Sequence, residues 1–301
     1  MNILVTGCNG QLGNEMRVLA ADHPSHHYFF TDVTVDDAAR ETANAMFARL
    51  DITDKEAIEA FVADNAIDCI VNCAAYTAVD KAEDNADLAH LLNATAPGYL
   101  AQAVGSRGGV MVQVSTDYVF DGTAHTPYTE SLATCPNSVY GRTKLAGEEA
   151  VLAACERCVV LRTAWLYSIY GNNFVKTMMR LGREREQLGV IFDQIGTPTY
   201  ARDLARAIFA IVEQGAQRGI YHFSNEGVTS WYDFTLAIHR LAGITTCAVR
   251  PLHTSEYPTP ASRPHYSVLD KTKIKQTYSL TIPHWEHSLA ECVEVLLKNK
   301  E

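Results

Sequence analysis

Residues 2–13 read NILVTGCNGQLG, a short apolar run followed by a turn in which glycine recurs at every third position. The spacing Gly7-x-x-Gly10-x-x-Gly13 predicts a β-strand, a tight turn and the first turn of an α-helix. Glycines at these positions let the backbone bend sharply and let a pyrophosphate approach the helix N-terminus. A lone glycine motif is a weak signal. One that opens the first strand and helix of a chain favours a dinucleotide-binding fold.

A second apolar run, residues 28–31, ends at Asp32, which lies 19 residues after Gly13. In dinucleotide-binding folds an acidic residue at about this distance accepts hydrogen bonds from the adenosine ribose. An aspartate after a strand can also cap a helix or stand in a loop. Because Asp32 directly follows the second strand, its position favours the ribose role.

Strands and helices alternate through the first half of the chain. The expected elements are strands over 68–73, 109–115 and 158–162, with helices over about 55–65, 82–104 and 138–154. This alternation predicts an α/β protein with a Rossmann-type, doubly wound parallel sheet. Residues 33–48 are polar and alanine-rich, and we interpret them as an inserted helix.

Helices predominate after residue 164, and prolines cluster between residues 251 and 264. We therefore expect a dinucleotide-binding domain over 1–164 and a smaller, mainly helical domain over 165–301 that binds substrate. Some segments of the smaller domain are expected to return to the first. It should cover the carboxyl ends of the strands, where open α/β sheets bind their ligands.

The candidate chemistry lies in Thr116 and in the spaced pair Tyr140 and Lys144. On a helix, residues four apart share one face, and a neighbouring ammonium lowers the pKa of a phenol. Thr116, 24 residues before Tyr140, is expected just past a strand end, where its hydroxyl can share a substrate oxygen with Tyr140. Taken alone, the pair is more typical of a surface helix with an ordinary side-chain contact.

Composition limits the class of protein. With 301 residues, of which 47% are hydrophobic, the chain can bury the core of one large domain or of a large and a small one. A formal net charge of −10 argues against nucleic acid and anionic membrane as general partners. The N-terminus has no basic, signal-like region, so a soluble cytoplasmic protein is expected. Cys155-x-x-Cys158 has no second cysteine pair to complete a metal site.

The glycine turn, Asp32, Thr116, Tyr140 and Lys144 occur in the order typical of an extended short-chain dehydrogenase/reductase. Within that superfamily, four short sequence segments resemble the dTDP-4-dehydrorhamnose reductase family. They are TAVDKAE over 77–83, STDYVFDG over 115–122, RTAWLY over 162–167 and RPHYSVLD over 263–270. The resemblance extends over nearly the whole chain.

The resemblance implies reduction of the C4 ketone of dTDP-6-deoxy-L-lyxo-4-hexulose to dTDP-L-rhamnose by NADPH or NADH. It makes Tyr140 the proton donor, has Lys144 lower its pKa and hold the nicotinamide ribose, and has Thr116 bond the ketone oxygen. It further implies substrate contacts for Asp117 and Trp165. The implied cofactor-binding positions are Gly7, Gly10, Gln11, Leu12, Gly13, Asp32, Asp51, Ile52, Ala74, Ala75, Tyr76, Thr77, Tyr140 and Lys144.

Three further positions have open interpretations. Trp165 lies in an apolar context and could belong to the core instead of the substrate pocket. Arg263 could bind the substrate diphosphate through a bidentate contact, or form an exposed salt bridge. Asp193 and the carboxylates near the C-terminus are candidate ligands for a divalent ion such as Mg²⁺ at a homodimer contact, although their spacing does not demonstrate such a site.

Two other functions share these motifs. A nucleotide-sugar epimerase or 4,6-dehydratase has the same residues up to Thr116, but dehydration needs a further carboxylate where this chain has Tyr118. A non-catalytic regulatory subunit of methionine adenosyltransferase keeps the cofactor fold and binds a partner enzyme. The intact set of Thr116, Tyr140 and Lys144 favours catalysis.

The sequence leaves the choice of coenzyme open. The carboxylate of Asp32 should repel the 2′-phosphate of NADPH and so favour NADH. Arg40 or Arg49 could come within reach and offset that repulsion. We therefore expect both coenzymes to be used.

Overall fold

The computed structural model describes residues 1–34 and 44–298. Its strands are β1 (Asn2–Thr6), β2 (His27–Asp32), β3 (Ala45–Arg49), β4 (Cys69–Asn72), β5 (Val110–Thr116), β6 (Cys158–Thr163), β7 (Leu166–Tyr167), β8 (Gln187–Ile191), β9 (Ile195–Gly196), β10 (Thr199–Tyr200), β11 (Gly219–His222), β12 (Thr229–Ser230) and β13 (Ala248–Leu252). Its α-helices are α1 (Gln11–Leu19), α2 (Lys55–Asp64), α3 (Val79–Ala82), α4 (Ala86–His90), α5 (Ala96–Gly105), α6 (Val139–Ala154), α7 (Phe174–Glu184), α8 (Ala201–Glu213), α9 (Trp231–Leu241), α10 (Thr272–Tyr278) and α11 (Trp285–Lys298). No helix in these ranges is long and apolar enough to cross a bilayer.

Seven strands form one parallel sheet in the order β11-β6-β5-β4-β1-β2-β3. From β1 the chain first builds the sheet toward β3, and then returns to build it the other way from β4. This reversal opens a crevice between the carboxyl ends of β1 and β4, where doubly wound sheets bind ligands. The predicted Rossmann-type sheet is confirmed.

The helix predicted over residues 33–48 is wrong in its last part, because residues 45–49 form β3 at the edge of the sheet. β3 pairs in parallel with β2, so Phe47 lies opposite Phe30 and Arg49 opposite Asp32. The rings of Phe30 and Phe47 stack with their centroids 5.4 Å apart. Packing against β2 outweighs the helix preference of the two alanines in this strand. Residues 35–43 lie outside the described part of the chain.

The second half of the chain contributes to the sheet layer as well. β11 pairs with β6 and extends the sheet, and Leu204 and Ile208 of α8 join Leu12 and Met16 of α1 in one buried cluster. A different apolar core forms among α7, α9 and α11, three helices that come after β6 in the chain.

The helix predicted over residues 82–104 is divided. α3 ends at Ala82, and α4 and α5 are joined by one wider π turn over Leu91–Thr95. Pro97 stands in the first turn of α5, where it has no need of an N–H partner. Single π turns inside helices often accompany functional positions. This turn presents Asn93 toward the loop that follows β4.

A long C-terminal loop closes over the loop that follows β5. Tyr128 bridges to Leu269, and Tyr266 donates its N–H to the carbonyl oxygen of Gly122 at 3.1 Å. Gly122 has φ of 79°, and a Cβ built there would lie 2.5 Å from Cβ of Pro264. The segment 263–270 is therefore held against the carboxyl end of β5.

Candidate active site

The glycine turn packs directly on the loop after β4. Gly7 has φ of 63°, and a Cβ built on it would lie 2.7 Å from Cα of Ala74. A Cβ on Gly13 would lie 2.2 Å from the carbonyl oxygen of Gly7. Gly10 precedes α1 and donates its N–H to that oxygen at 3.0 Å. These glycines form a cradle, which a side chain at Gly7 or Gly13 would fill.

The N-terminus of α1 has no side-chain cap and no acidic residue in its first turn. Its leading backbone N–H groups are thus free of a competing carboxylate, which suits the anion site that the glycine spacing predicts. Gln11 begins the helix, and its Oε1 accepts a 3.0 Å hydrogen bond from Nδ2 of Asn173. This bond ties the turn to the N-terminus of α7.

Asp32 ends β2 beside the same turn. One of its carboxylate oxygens accepts the backbone N–H of Asn9 at 3.1 Å, and the other accepts that of Val33 at 2.8 Å. Two backbone donors therefore fix the carboxylate at the rim of the glycine turn. This is the position that the sequence spacing predicted for a ribose-binding group.

A row of polar side chains lies beneath the crevice and crosses three neighbouring strands. Thr6 donates to Oδ1 of Asn72 at 2.5 Å, and Nδ2 of Asn72 donates to Gln113 at 2.8 Å. Asn72 also accepts the backbone N–H of Ala74 at 3.2 Å. The row fixes the start of residues 74–77, the predicted cofactor-binding segment, which is half-buried to exposed.

Asn93, which the sequence did not single out, holds the middle of that segment. Its Oδ1 accepts the backbone N–H of Tyr76 at 2.9 Å, and its Nδ2 donates to the carbonyl oxygen of Tyr76 at 3.1 Å and to Thr143 at 3.2 Å. A Cβ on Gly147 of α6 would lie 2.0 Å from the carbonyl oxygen of Asn93. Gly147, one of two glycines inside α6, was the sequence signal of this close approach.

Several predicted cofactor positions turn their side chains elsewhere. Leu12 and Ile52 are each 4% exposed and belong to the two apolar cores on opposite sides of the sheet. Asp51 is exposed and accepts hydrogen bonds from the backbone and the hydroxyl of Thr53, at 2.9 and 2.7 Å. The structure brings the glycine turn, Asp32 and residues 74–77 together, and Asp51 lies two residues after the end of β3.

Thr116 is the last residue of β5, as the sequence predicted within one residue. Its hydroxyl donates to Asp117 at 3.0 Å and accepts the backbone N–H of Tyr118 at 3.2 Å. Tyr140 stands in the first turn of α6, which Ser138 caps by accepting the N–H of Gly141 at 3.1 Å. The rings of Tyr118 and Tyr140 meet edge to face with centroids 5.5 Å apart.

Burial raises the pKa of Tyr140 to about 12, with Asp117 adding to the rise and a hydrogen bond with Thr116 opposing it. Lys144 is itself buried, and its Nζ donates to the carbonyl oxygen of Val114 at 2.7 Å. Burial lowers the pKa of Lys144 to about 8, with Glu148 opposing the fall. Lys144 is not among the groups that shift the pKa of Tyr140 here, so the effect that the sequence assigned to it stays a prediction. Loss of water around the phenol dominates, because desolvation disfavours its charged form.

Behind Lys144, a buried ion pair joins α6 to β6. Arg162 donates from Nε and Nη2 to the two carboxylate oxygens of Glu148, at 2.9 and 2.6 Å, and both side chains are at most 2% exposed. The Ser115 hydroxyl donates to the same carboxylate at 2.5 Å. The sequence offered one hint of this network, since Glu148 follows Tyr140 and Lys144 at the same four-residue step.

Asp117 is 3% exposed and lies between Thr116 and the C-terminal loop. Burial raises its pKa to about 7, and the hydrogen bond from Thr116 opposes the rise. Near neutral pH this carboxyl can therefore hold or release a proton beside the Thr116 hydroxyl.

Trp165 has φ of 49°, an unusual conformation for a bulky side chain. Its ring stacks on Trp231 with centroids 3.5 Å apart, and a Cβ on Gly196 would lie 2.6 Å from its indole. Strain of this kind costs roughly 1–3 kcal/mol and persists where the surroundings fix the residue. Trp165 is half-buried and packs against the apolar cluster that includes Val119, Phe120 and Leu269, so its contact with substrate stays a prediction.

Arg263 forms the salt bridge that was one of its two interpretations. Its Nη2 donates to Asp80 at 2.7 Å, which links the C-terminal loop to the segment after β4. Asp193 accepts hydrogen bonds from the backbone and hydroxyl of Thr254, at 2.9 and 2.6 Å. Within residues 1–34 and 44–298, no group of three or more His, Cys, Asp or Glu side chains is arranged to hold a metal ion.

Comparisons with known proteins extend the resemblance to the whole chain. The model of a family described as the RmlD substrate binding domain matches residues 1–298. A dTDP-4-dehydrorhamnose reductase of Escherichia coli is 40% identical over 295 residues, which cover 95% of each chain. A crystal structure of a dTDP-4-dehydrorhamnose reductase from Clostridium acetobutylicum is 40% identical, with a TM-score of 0.87 over 99% of this chain and 100% of that one. The enzyme from Bacillus anthracis, solved in complex with NADP, is 35% identical, with a TM-score of 0.86 over 98% and 99% of the two chains.

Proposed function

Because the chain belongs to the dTDP-4-dehydrorhamnose reductase family, we propose that it reduces the C4 ketone of dTDP-4-dehydro-L-rhamnose to dTDP-L-rhamnose. As a member of that family it is an NAD(P)H-dependent oxidoreductase of dTDP-rhamnose synthesis. The observation that carries the proposal is the arrangement of Thr116 and Tyr140 at the carboxyl end of β5, with the glycine turn at the neighbouring crevice.

The residues of the crevice fit a nicotinamide dinucleotide. The glycine cradle and the free N–H groups of α1 suit its pyrophosphate, and the fixed carboxylate of Asp32 suits its adenosine ribose. Lys144 and residues 74–77 would hold its nicotinamide half. When bound, the coenzyme supplies the hydride that reduces the ketone carbon.

Tyr140 supplies the proton. A pKa of about 12 keeps the phenol protonated at neutral pH, so Tyr140 is an acid ready to donate and not a phenolate waiting to accept. Its proton goes to the ketone oxygen as the hydride reaches C4, and the product is an alcohol. Thr116 orients the same oxygen, and the Lys144 ammonium stabilises the phenolate that forms.

On the substrate side, Asp117 and Trp165 contact the sugar in this proposal. Arg263 reaches the diphosphate through Nη1, a buried nitrogen that makes no hydrogen bond within the described residues. We further propose that residues 165–301 mainly build the substrate domain, while residues 1–164 bind the coenzyme. The homodimer expected from the sequence stays a prediction.

The dehydratase alternative is disfavoured by Tyr118. Its ring lies edge to face against Tyr140 at the place where dehydration needs a carboxylate, and burial raises its pKa above the usual range. A phenol held in this form cannot replace a carboxylate base near neutral pH. The regulatory-subunit alternative would leave a complete acid group in the cleft without a use.

The test is to incubate the purified protein with NADPH and the 4-keto-L-sugar nucleotide and to identify the product by mass spectrometry. We expect dTDP-L-rhamnose together with oxidised coenzyme. No turnover of this sugar, combined with co-purification of a methionine adenosyltransferase, would replace the proposal with the regulatory function.

A further inference from the structure

An arginine of α1 lies at the outer rim of the glycine turn. The guanidinium carbon of Arg17 stands 4.8 Å from the ring centroid of Phe47 in β3. Its Nη1 lies 3.5 Å from Oδ1 of Asn9 and 3.4 Å from Oδ1 of Asn14. The ring and the two amides fix the guanidinium beside the turn, although Arg17 remains half-buried and accessible.

Asn9 connects this arginine to Asp32. Its side chain accepts from Arg17, while its backbone N–H donates to the carboxylate of Asp32 at 3.1 Å. Burial raises the pKa of the Cys8 thiol to about 11, and of the two nearby charges Asp32 adds to the rise and Arg17 opposes it. A cation and an anion therefore flank the same two residues of the turn.

Arg49 adds a second positive charge at this rim. The pairing of β2 with β3 places Arg49 directly opposite Asp32. Phe47, two residues earlier in β3, shares the same face of the sheet, because side chains alternate along a strand. Arg49 is exposed, and it lies on the same face of β3 as the Phe47 ring that supports Arg17.

Neither arginine forms an ion pair with another described residue. Within the described ranges, the ion pairs of arginine involve other positions and none includes Arg17 or Arg49. Guanidinium groups that are held in place without a carboxylate are suited to bind phosphate, which they contact in a bidentate manner. Among the described residues, the rim thus presents one carboxylate and two guanidinium groups that form no ion pair.

We propose that Arg17, assisted by Arg49, binds the phosphate on the 2′-oxygen of the adenosine ribose of NADPH. Asp32 serves the free ribose hydroxyls of NADH at the same rim. Arg17 offsets the repulsion between Asp32 and the 2′-phosphate, and this balance lets one site accept both coenzymes. The inference rests on the proposed function for the presence of a coenzyme, and it assigns the recognition of one phosphate group to residues of α1 and β3.

Calorimetric titration with two coenzyme fragments, adenosine 2′,5′-bisphosphate and 5′-AMP, tests the inference without turnover. The variants are Arg17→Met, which keeps an unbranched apolar side chain over Phe47, and Arg49→Met. Arg107→Met, an exposed arginine at the end of α5, is the matched control. We expect Arg17→Met to lower the ratio of bisphosphate affinity to 5′-AMP affinity by about tenfold, and Arg49→Met by less, since loss of a charge contact to phosphate is on this scale.

The control variant should leave the ratio unchanged. An unchanged ratio in Arg17→Met, or an equal loss of affinity for both fragments, would overturn the inference. Its failure is distinct from failure of the proposed function. A wild-type protein that separates the two fragments through Arg17 but does not reduce the sugar nucleotide would retain the phosphate site and lose the proposed reaction.

Discussion

Lys144 and Val114 are joined by a hydrogen bond of 2.7 Å from the buried ammonium to a backbone carbonyl oxygen of β5. The same oxygen accepts Nε2 of Gln113 at 2.9 Å, and Gln113 continues the polar row through Asn72 to Thr6. One run of hydrogen bonds therefore connects the catalytic helix to the strand that enters the glycine turn. The acid group and the coenzyme crevice are positioned by a shared sheet backbone.

Replacing Tyr140 with phenylalanine should remove the proton donor and keep the ring. We expect kcat to fall at least about a hundredfold, the usual scale for loss of a general acid, with an unchanged circular dichroism spectrum. Tyr99→Phe, a half-buried tyrosine of α5 beside Lys55, is the control and should retain full activity. Near-normal turnover by Tyr140→Phe would exclude the proposed role.

Replacing Asp117 with asparagine should stabilise the fold in a pH-dependent way. The folded-state pKa of Asp117 is raised from 3.8 to about 7, so the stability that its protonated form supports is lost as pH rises from 3.8 through 7. We expect Asp117→Asn to match the wild type near pH 4 and to be more stable at pH 8, by up to about 4 kcal/mol. Urea unfolding at both pH values measures the difference. If the difference in unfolding free energy between Asp117→Asn and the wild type is the same at both pH values, Asp117 titrates normally.

Replacing Glu148 with glutamine should destabilise the protein strongly. Arg162 would keep its buried charge without a carboxylate, which costs about 3–5 kcal/mol. Glu149→Gln, the exposed neighbour on the same helix, is the control and should change the unfolding free energy by less than about 0.5 kcal/mol. The double variant Glu148→Gln with Arg162→Met should recover part of the loss. A Glu148→Gln protein as stable as the control would show that the ion pair contributes little.

Replacing Gly13 with alanine should impair the glycine turn. The added Cβ would lie 2.2 Å from the carbonyl oxygen of Gly7, so the turn must shift, at a cost of about 1–3 kcal/mol. Coenzyme affinity should fall with it. Gly98→Ala on α5 is the contrast, because its Cβ would meet Ala150 at an ordinary 3.4 Å and should stabilise the helix by about 0.5–1 kcal/mol. Equal coenzyme affinity in Gly13→Ala and wild type would place the pyrophosphate elsewhere.

Local spacing predicted the parts of the site that depend on neighbouring residues. The glycine turn, Asp32 at the end of β2, and the Ser138-capped helix that carries Tyr140 and Lys144 each follow from a few adjacent positions. The helix interpretation of residues 33–48 failed over β3 because an edge strand is stabilised by its partners, and Phe47 packs on Phe30 of β2 and under Arg17 of α1.

The electrostatics could not be predicted from spacing. Whether a phenol or an ammonium loses its water depends on residues far away in the chain, and burial is the largest influence on the pKa of Tyr140. The pairing of Glu148 with Arg162 also joins separate elements. The position of Arg17 has the same origin, since the ring that supports it belongs to β3.

Replacing Asp32 with alanine tests how its carboxylate affects the choice between NADPH and NADH. Loss of the carboxylate removes the contact to the ribose hydroxyls of NADH and relieves repulsion of a 2′-phosphate, worth on the order of 1 kcal/mol at a partly exposed position. We therefore expect the ratio of kcat/KM for NADPH to that for NADH to rise by about fivefold. In the double variant Asp32→Ala with Arg17→Met, the preference for NADPH should return toward the wild-type ratio, because the opposing charge is removed as well. Steady-state kinetics with both coenzymes gives the four ratios. A ratio that does not move when Asp32 is lost would show that this residue is not at the adenosine ribose, and the coenzyme would have to enter the crevice in another register.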